Sequence, residues 1–277
     1  PMPLHIGSLA GSADVQDAID EILSGGFVAT QYHGVFIIVF SATNARAREG
    51  VLAAKGETDS SKPLTSLTFC KHVFPYVDLD RIPEARVRDL IIDPDQFRRS
   101  LGGICHVRLP LTQKATQEAL PPQIVSFQDG VPYTHNLEPY GNLLFSNLAH
   151  ELNEAGVTFI TGSSLNRAGE DEICELSAAE TFCEQTGITY LLRDPLFVAR
   201  GVRGSFPIVD LEKMTVVRDG HVPVQLVERI VDLEFDKREM KPAKHPHSPH
   251  LLSLLDQREL HGRALRRHLL RHFYGAD

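Results

Sequence analysis

Long apolar runs are missing from this chain. The longest, such as Gly34 to Phe40 (GVFIIVF), fall far short of the ~20 residues that a membrane-spanning helix needs. No charged-then-apolar leader opens the sequence, so the expectation is a cytoplasmic protein with no membrane contact. Cysteine is scarce. The four present (Cys70, Cys105, Cys174 and Cys183) share no CxxC spacing, which leaves reduced thiols as the simplest reading. Common catalytic signatures are also lacking. GxSxG, HExxH, GxGxxG and the Walker-type GxxxxGK do not occur, so a hydrolase triad, a zincin and a P-loop NTPase have no support. No internal repeat shows.

The rest is the composition of an ordinary globular protein: 277 residues, 42% hydrophobic and 23% charged, with 20 Gly and 17 Pro. The net charge of −8 conceals an asymmetry. From Lys237 onward, nine Lys and Arg face four Asp and Glu, and six of the 13 histidines fall there. Of the chain's 28 basic and 36 acidic residues, that leaves 19 and 32 in residues 1–236. An acidic body thus carries a basic tail, which docks on the body, stands as a solvated helix or contacts nucleic acid such as RNA.

Periodicity predicts a helix over 13–23 and strands over Phe27–Thr30 and Val35–Phe40, the second buried on both faces. Asn44 and Gly56 bracket a helix as cap and stop. Strands are expected near Leu64–Phe69, Ile104–Leu109, Ile124–Phe127 and Val157–Ile160, with helices over 94–101, NLLFSNLAHELNEAG and 171–187. ITYLL and a pair of strands within GSFPIVDLEKMTVVRDG follow, then a helix over Val224–Ile230. The expected fold class is α/β (α+β) around one sheet. Two units are expected: residues 1–236 as the folded domain, and residues 237–277 as a Pro- and His-containing linker with one basic helix from Leu251 to about Phe273. Arg263, Arg267 and Arg271 would share a face of that helix.

Several polar clusters are candidates for chemistry. His245, His247 and His250 lie in a proline-studded linker without the fixed backbone of a metal site, and no metal ligands are assigned. Cys105 and His106 are neighbours in a strand and point to opposite faces, so they form no thiolate–imidazole couple and read as structural. Three other elements stand out: Lys55 at a helix end with Lys62 nearby, the Thr161–Gly169 loop after a strand, and Arg218-Asp219-Gly220. Together they would suit an anionic ligand such as a nucleotide phosphate.

The order of these elements resembles the YrdC-like family, which includes threonylcarbamoyl-adenylate synthases of tRNA modification. QYHGVFIIVFSATN, ten residues and KGE match the family's "PTDTVYGL … DATN … KGR" pattern without a gap from Gln31 to Glu57. KPL follows after a slightly longer loop. SSLNRAG (Ser163 to Gly169) fits "TSANLSG" position by position, and FPIVDLEKMTVVRDG resembles the closing "STIVDL…R.G". The likeness covers roughly residues 13 to 231.

The resemblance implies a twisted mixed sheet with flanking helices around a concave cavity. It implies ATP and Mg²⁺ as cofactors, and ATP, bicarbonate and an amino acid or amine as substrates. These would be joined into a (threonyl)carbamoyl-adenylate with release of pyrophosphate. Carried over residue by residue, Lys55, Ser164 and Asn166 are the candidate catalytic residues. Lys55, Lys62, Ser163, Ser164, Asn166 and Arg218 are the candidate nucleotide-binding set. The chain departs from the pattern at several positions. Glu57 replaces an arginine, Gln31, Tyr32 and Gly34 replace Pro, Thr and Thr, Ser126 falls at a strand arginine, and Phe206-Pro207 replace Ser-Thr. Two functional expectations follow: a divergent adenylate-forming enzyme whose acceptor need not be threonine, or a relative that binds nucleotide or RNA without turnover.

Overall fold

The structure, a computed structural model, describes residues 3–61 and 64–275. The chain opens with β1 (His5–Ser8), α1 (Ser12–Leu23), and the hairpin β2 (Val28–Tyr32) and β3 (Val35–Ser41). Next come α2 (Ala45–Lys55), the short β4 (Thr65–Ser66), α3 (Ala85–Ile92), α4 (Pro94–Arg98), β5 (His106–Pro110) and α5 (Gln113–Glu118). The hairpin β6 (Ser126–Gln128) and β7 (Val131–Asn136) leads to α6 (Leu143–Glu154), β8 (Ile160–Ser164), α7 (Leu176–Thr186) and β9 (Tyr190–Arg193). Last are β10 (Ile208–Asp210), β11 (Thr215–Arg218), α8 (Val224–Val231), α9 (Pro249–Asp256) and α10 (Gly262–Tyr274).

All eleven strands join one mixed sheet in the order β1-β9-β2-β3-β8-β4-β7-β5-β10-β11, with β6 paired to β7 at its side. On one face, α1 and α6 pack over Val35, Val39, Leu67 and Leu137. On the other, α2 and α7 pack over Phe36, Ile38 and Phe40. β3 is therefore buried on both faces, as its unbroken apolar run requires. Helices α3, α4, α8, α9 and α10 close the core over Val107, Leu109, Val209 and Val216.

Local chemistry sets the boundaries. Asn44 Oδ1 accepts from the Ala47 amide at 2.9 Å, starting α2, and Gly56 ends it at φ +63°, the left-handed conformation glycine adopts without penalty. Asn142 caps α6 in the same way, accepting from the Phe145 amide at 2.9 Å.

Four expectations need correction. The strand placed at Val157–Ile160 runs instead from Ile160 to Ser164. The Asn153 amide donates to the carbonyls of Val157 (3.0 Å) and Thr158 (3.5 Å), holding them in a turn. Gly162, Ser163 and Ser164 are thus ladder residues paired with Val39, Ile38 and Ile37. The single basic helix is two. Arg229 donates to the carbonyls of Leu254 (2.8 Å) and Leu255, and also to those of Gln257 and Leu260, satisfying the open end of α9 and turning the chain there. Helix α7 starts only at Leu176. The strand at Ile124–Phe127 shrinks to Ser126–Gln128, preceded by a helical turn.

The tail is amphipathic, and its apolar face is part of the core. Leu265, Leu269 and Phe273 are fully buried, while Arg263, Arg267 and Arg271 lie exposed, as their four-residue spacing predicts.

Five histidines are held neutral by burial. His33 and His106 lie well below the usual imidazole range, His135 and His272 fall to about 4, and His221 to about 3. The unfolded chain regains protons at each of them near pH 6.5 while the folded one does not, so stability from these groups is whole above pH 6.5 and drains as pH falls toward 4. Unfolding at pH 5.5 should therefore take up on the order of five protons more than at pH 8, read as a steep fall of Tm with acid. A Tm that is flat between pH 7.5 and 5.5 would contradict the buried-neutral assignment.

Candidate functional site

The strand register gathers the site. Pairing is Ile37 with Ser164, Thr65 with Gly162, Ile208 with His106 and Ile208 with Arg218. Paired residues point to the same side, so Ser164, Thr65, His106 and Arg218 all look onto one concave face. A cavity of about 290 Å³ opens there. Its walls carry Lys55, Glu57, Ser163, Ser164, Asn166, His106, Ser205 and Arg218 among apolar residues that include Tyr32, Leu64, Leu137, Phe206 and Ile208. One wall is continuous with the α1–α6 core, since Tyr32, Leu67, Leu137 and Phe206 belong to both.

Lys55 reaches the site from the last turn of α2 and is only 6% exposed. Its Nζ donates to the Ser164 carbonyl and, at 3.0 Å, to Asn166 Oδ1. The Ser164 hydroxyl donates to the same oxygen at 2.5 Å. The Asn166 amide in turn donates to the carbonyls of Arg167 (2.8 Å) and Glu170 (2.9 Å). The Ala168 amide closes the turn onto the Lys55 carbonyl at 2.8 Å. Asn166 is thus the organiser of the turn, and Lys55 and Ser164 are what the turn holds toward the cavity. Strand alternation gives the Ser163 side chain to the face of Ile38, away from that of Ser164.

Arg218 sits at the far end of the concave face. It donates from Nη2 to the Phe206 carbonyl at 3.0 Å, and burial pulls its pKa below the usual guanidinium range. Glu57 is on the cavity wall, where its Oε1 accepts from the Asp59 amide at 3.2 Å.

Five of the six residues expected in the site (Lys55, Ser163, Ser164, Asn166 and Arg218) line this one cavity. Lys62 lies outside the described residues. Ser126 is on the side hairpin with β7 and does not reach the cavity wall; the strand that crosses to β4 is β7 itself. His106 was missed. Strand alternation separated it correctly from Cys105, but no local signal reports which face of β5 becomes concave.

The turn after β2 is closed off by backbone. A Cβ on Gly34 would lie 2.1 Å from the Val202 carbonyl oxygen and 2.7 Å from its carbon. His33, at φ +51°, packs under Phe197, Phe206 and Phe273 with ring centroids at 5.6, 5.3 and 5.0 Å. The C-terminal helix therefore seals this turn from behind.

Neither a protein-family model nor any curated protein matches this sequence. Solved structures do. A P. abyssi Sua5 structure in complex with L-threonine aligns with TM-score 0.62 at 15% identity, covering 85% of this chain and 62% of its own. A double-alanine variant of P. abyssi Sua5 aligns at 0.60 and 17%, covering 84% and 65%. A hypothetical protein of Streptococcus mutans aligns at 0.62 and 12%, covering 88% and 100%, and E. coli YciO at 0.51 and 11%. The fold is YrdC-like. This chain spans less than two thirds of the length of the P. abyssi Sua5 structures. Among the described residues, no helix is long and apolar enough to cross a membrane.

The closed turn yields a test of its own. Gly34→Thr, which restores a residue expected from the family pattern, should cost about 3 kcal/mol or more, because the new side chain meets backbone and not a movable side chain. Chemical denaturation would measure it. Wild-type stability in that variant would mean the 202–203 segment yields freely.

Proposed function

We propose that this chain is a divergent YrdC-like enzyme that binds ATP in the concave cavity and forms a carbamoyl-type adenylate from bicarbonate and an amino acid or amine. The observation that carries this reading is the clasp of Lys55, Ser164 and Asn166 at one cavity wall, with a second cation, Arg218, across the same concave face. A buried ammonium and strand-end donors suit phosphate oxygens, and the apolar wall suits a base or other flat ring.

The chemistry balances in two steps. An amine and bicarbonate give a carbamate and water. A carbamate oxygen then attacks the α-phosphorus of ATP, the bond to the bridging oxygen of the β-phosphate breaks, and pyrophosphate leaves with the electron pair. The chain's part is to hold the reacting groups in line and to place positive charge against the phosphates. No trio of His, Cys, Asp or Glu among the described residues is arranged to hold a metal ion, so the residues do not fit a resident cation. Mg²⁺ would come with the triphosphate as part of the substrate. Glu57 is the one carboxylate on the cavity wall among the described residues.

A second reading is nucleotide or RNA binding without turnover. Two observations favour it: the carboxylate of Glu57 at a position where the family pattern has an arginine, and the exposed ridge of Arg263, Arg267 and Arg271.

Calorimetric titration with Mg-ATP should show a single site, with Lys55→Ala weakening it at least tenfold, the cost of one charge-assisted contact. Asn166→Ala should weaken it comparably by releasing the turn. Pyrophosphate formed on adding bicarbonate and an amine separates the first reading from the second. Affinity unchanged by Lys55→Ala would remove the phosphate assignment.

A further inference from the structure

We propose that Glu57 sets the form in which the cavity takes its nucleotide: it admits the divalent-metal complex and turns the bare triphosphate away. This rests on the reading that the cavity binds a nucleotide at its Lys55 end.

The backbone fixes where the carboxylate stands. Helix α2 closes with the Gly56 amide on the Ala53 carbonyl at 3.0 Å and the Glu57 amide on the Leu52 carbonyl at 2.9 Å. Gly56, in the left-handed conformation, is the single residue between Lys55 and Glu57. Both of those side chains reach the cavity wall. The loop beyond is tied down in turn. Glu57 Oε1 accepts from the Asp59 amide at 3.2 Å. Asp59 Oδ1 accepts from the Ser61 amide at 2.9 Å and from its hydroxyl at 2.6 Å. Arg48 of α2 donates to the Ser60 carbonyl at 2.6 Å, anchoring the loop to the helix. Glu57 is half-buried, so a carboxylate held in this way has little freedom to swing into solvent when a like charge approaches.

The charges on the wall then select among anions. Among the described residues, the wall carries two cations, Lys55 and Arg218, and one carboxylate, Glu57. The positive surplus is far smaller than the charge of a bare triphosphate. A phosphate that approaches Lys55 also approaches Glu57, and a part-buried wall screens that repulsion less than open water does. A divalent cation reverses the sign of the contact. It roughly halves the charge of the triphosphate and sets a positive centre among the phosphate oxygens, which attracts the carboxylate.

The ligand chemistry agrees. Magnesium keeps several of its waters and is held by one or two carboxylates together with the phosphates it travels on, not by a cage of protein side chains. Among the described residues no trio of His, Cys, Asp or Glu forms such a cage, and a single carboxylate stands on the wall. Lys55 serves the phosphate oxygens and Glu57 serves the metal. A wholly basic wall would behave in the opposite way, holding the more highly charged free nucleotide tighter than its metal complex.

The test is calorimetric titration of the full chain with ATP in excess Mg²⁺ and, at matched ionic strength, with ATP in EDTA. Wild-type protein should prefer Mg-ATP by at least about tenfold. Glu57→Gln keeps the oxygen that accepts from the Asp59 amide and removes only the charge, so the loop should hold. In that variant free ATP should bind tighter than it does to wild type, Mg-ATP should bind weaker, and the preference should shrink to within about threefold. Glu57→Arg should reverse the order and favour free ATP. A preference that is the same in Glu57→Gln as in wild type, or wild-type protein that binds both forms equally, overturns the proposal and leaves the nucleotide reading standing. Binding by Glu57→Gln but by neither form to wild type also overturns it, because Glu57 would then bar the nucleotide outright. No binding to wild type or to either variant overturns the nucleotide reading, and this proposal falls with it.

Discussion

The ammonium of Lys55, buried in the wall of the sheet, is the interaction on which the rest of the site depends. A charge taken out of water must be met by hydrogen-bond acceptors or it unfolds its surroundings. Here the acceptors are the Ser164 carbonyl and the Asn166 side chain. That requirement ties the end of α2 to the end of β8, two elements far apart in sequence. It also explains why the turn after β8 is rich in hydroxyl, amide and glycine residues, since Asn166 must satisfy Lys55, Ser164 and two carbonyls at once. The turn thereby holds the Lys55 ammonium at the cavity wall.

Across the concave face the chemistry is different. Hydroxyl positions of the family pattern are occupied by Tyr32 and Phe206, which pack edge to face at 5.0 Å. Gly34 lies under the Val202 backbone, and the segment beyond it is tied to the C-terminal helix by the Val198 amide on the Phe273 carbonyl at 2.8 Å. The basic tail that composition marked as separate is thereby the rear wall of this end of the site. One side of the cavity carries the clasp of Lys55, Ser164 and Asn166, while the other is lined by aromatic rings, a neutral histidine and Arg218.

How much of this was legible in the sequence follows from the range of each signal. Asn44, Gly56 and Asn142 act within a turn of their own helices, so α2 and α6 were readable to within a residue or two. The apolar run of β3 announced burial on both faces. Lys55, Ser164, Asn166 and Arg218 came from a pattern spread across the chain, and they converge on one cavity. What failed was set by contacts between distant residues. Arg229 stops α9 from across the core, and Asn153 bends Val157 and Thr158 out of the ladder. His106 belongs to the same class, because the concave face of β5 is decided by its pairing with β10 and β7 and by nothing in GGICHVRLP itself.

The most direct test of the central claim is a crystal structure with a non-hydrolysable ATP analogue and Mg²⁺. The account predicts phosphate density against Lys55 and Ser164, with the turn held by Asn166 unchanged. An analogue bound elsewhere, or an empty cavity at saturating analogue, would contradict it and leave the Lys55 clasp as a purely structural joint between α2 and β8.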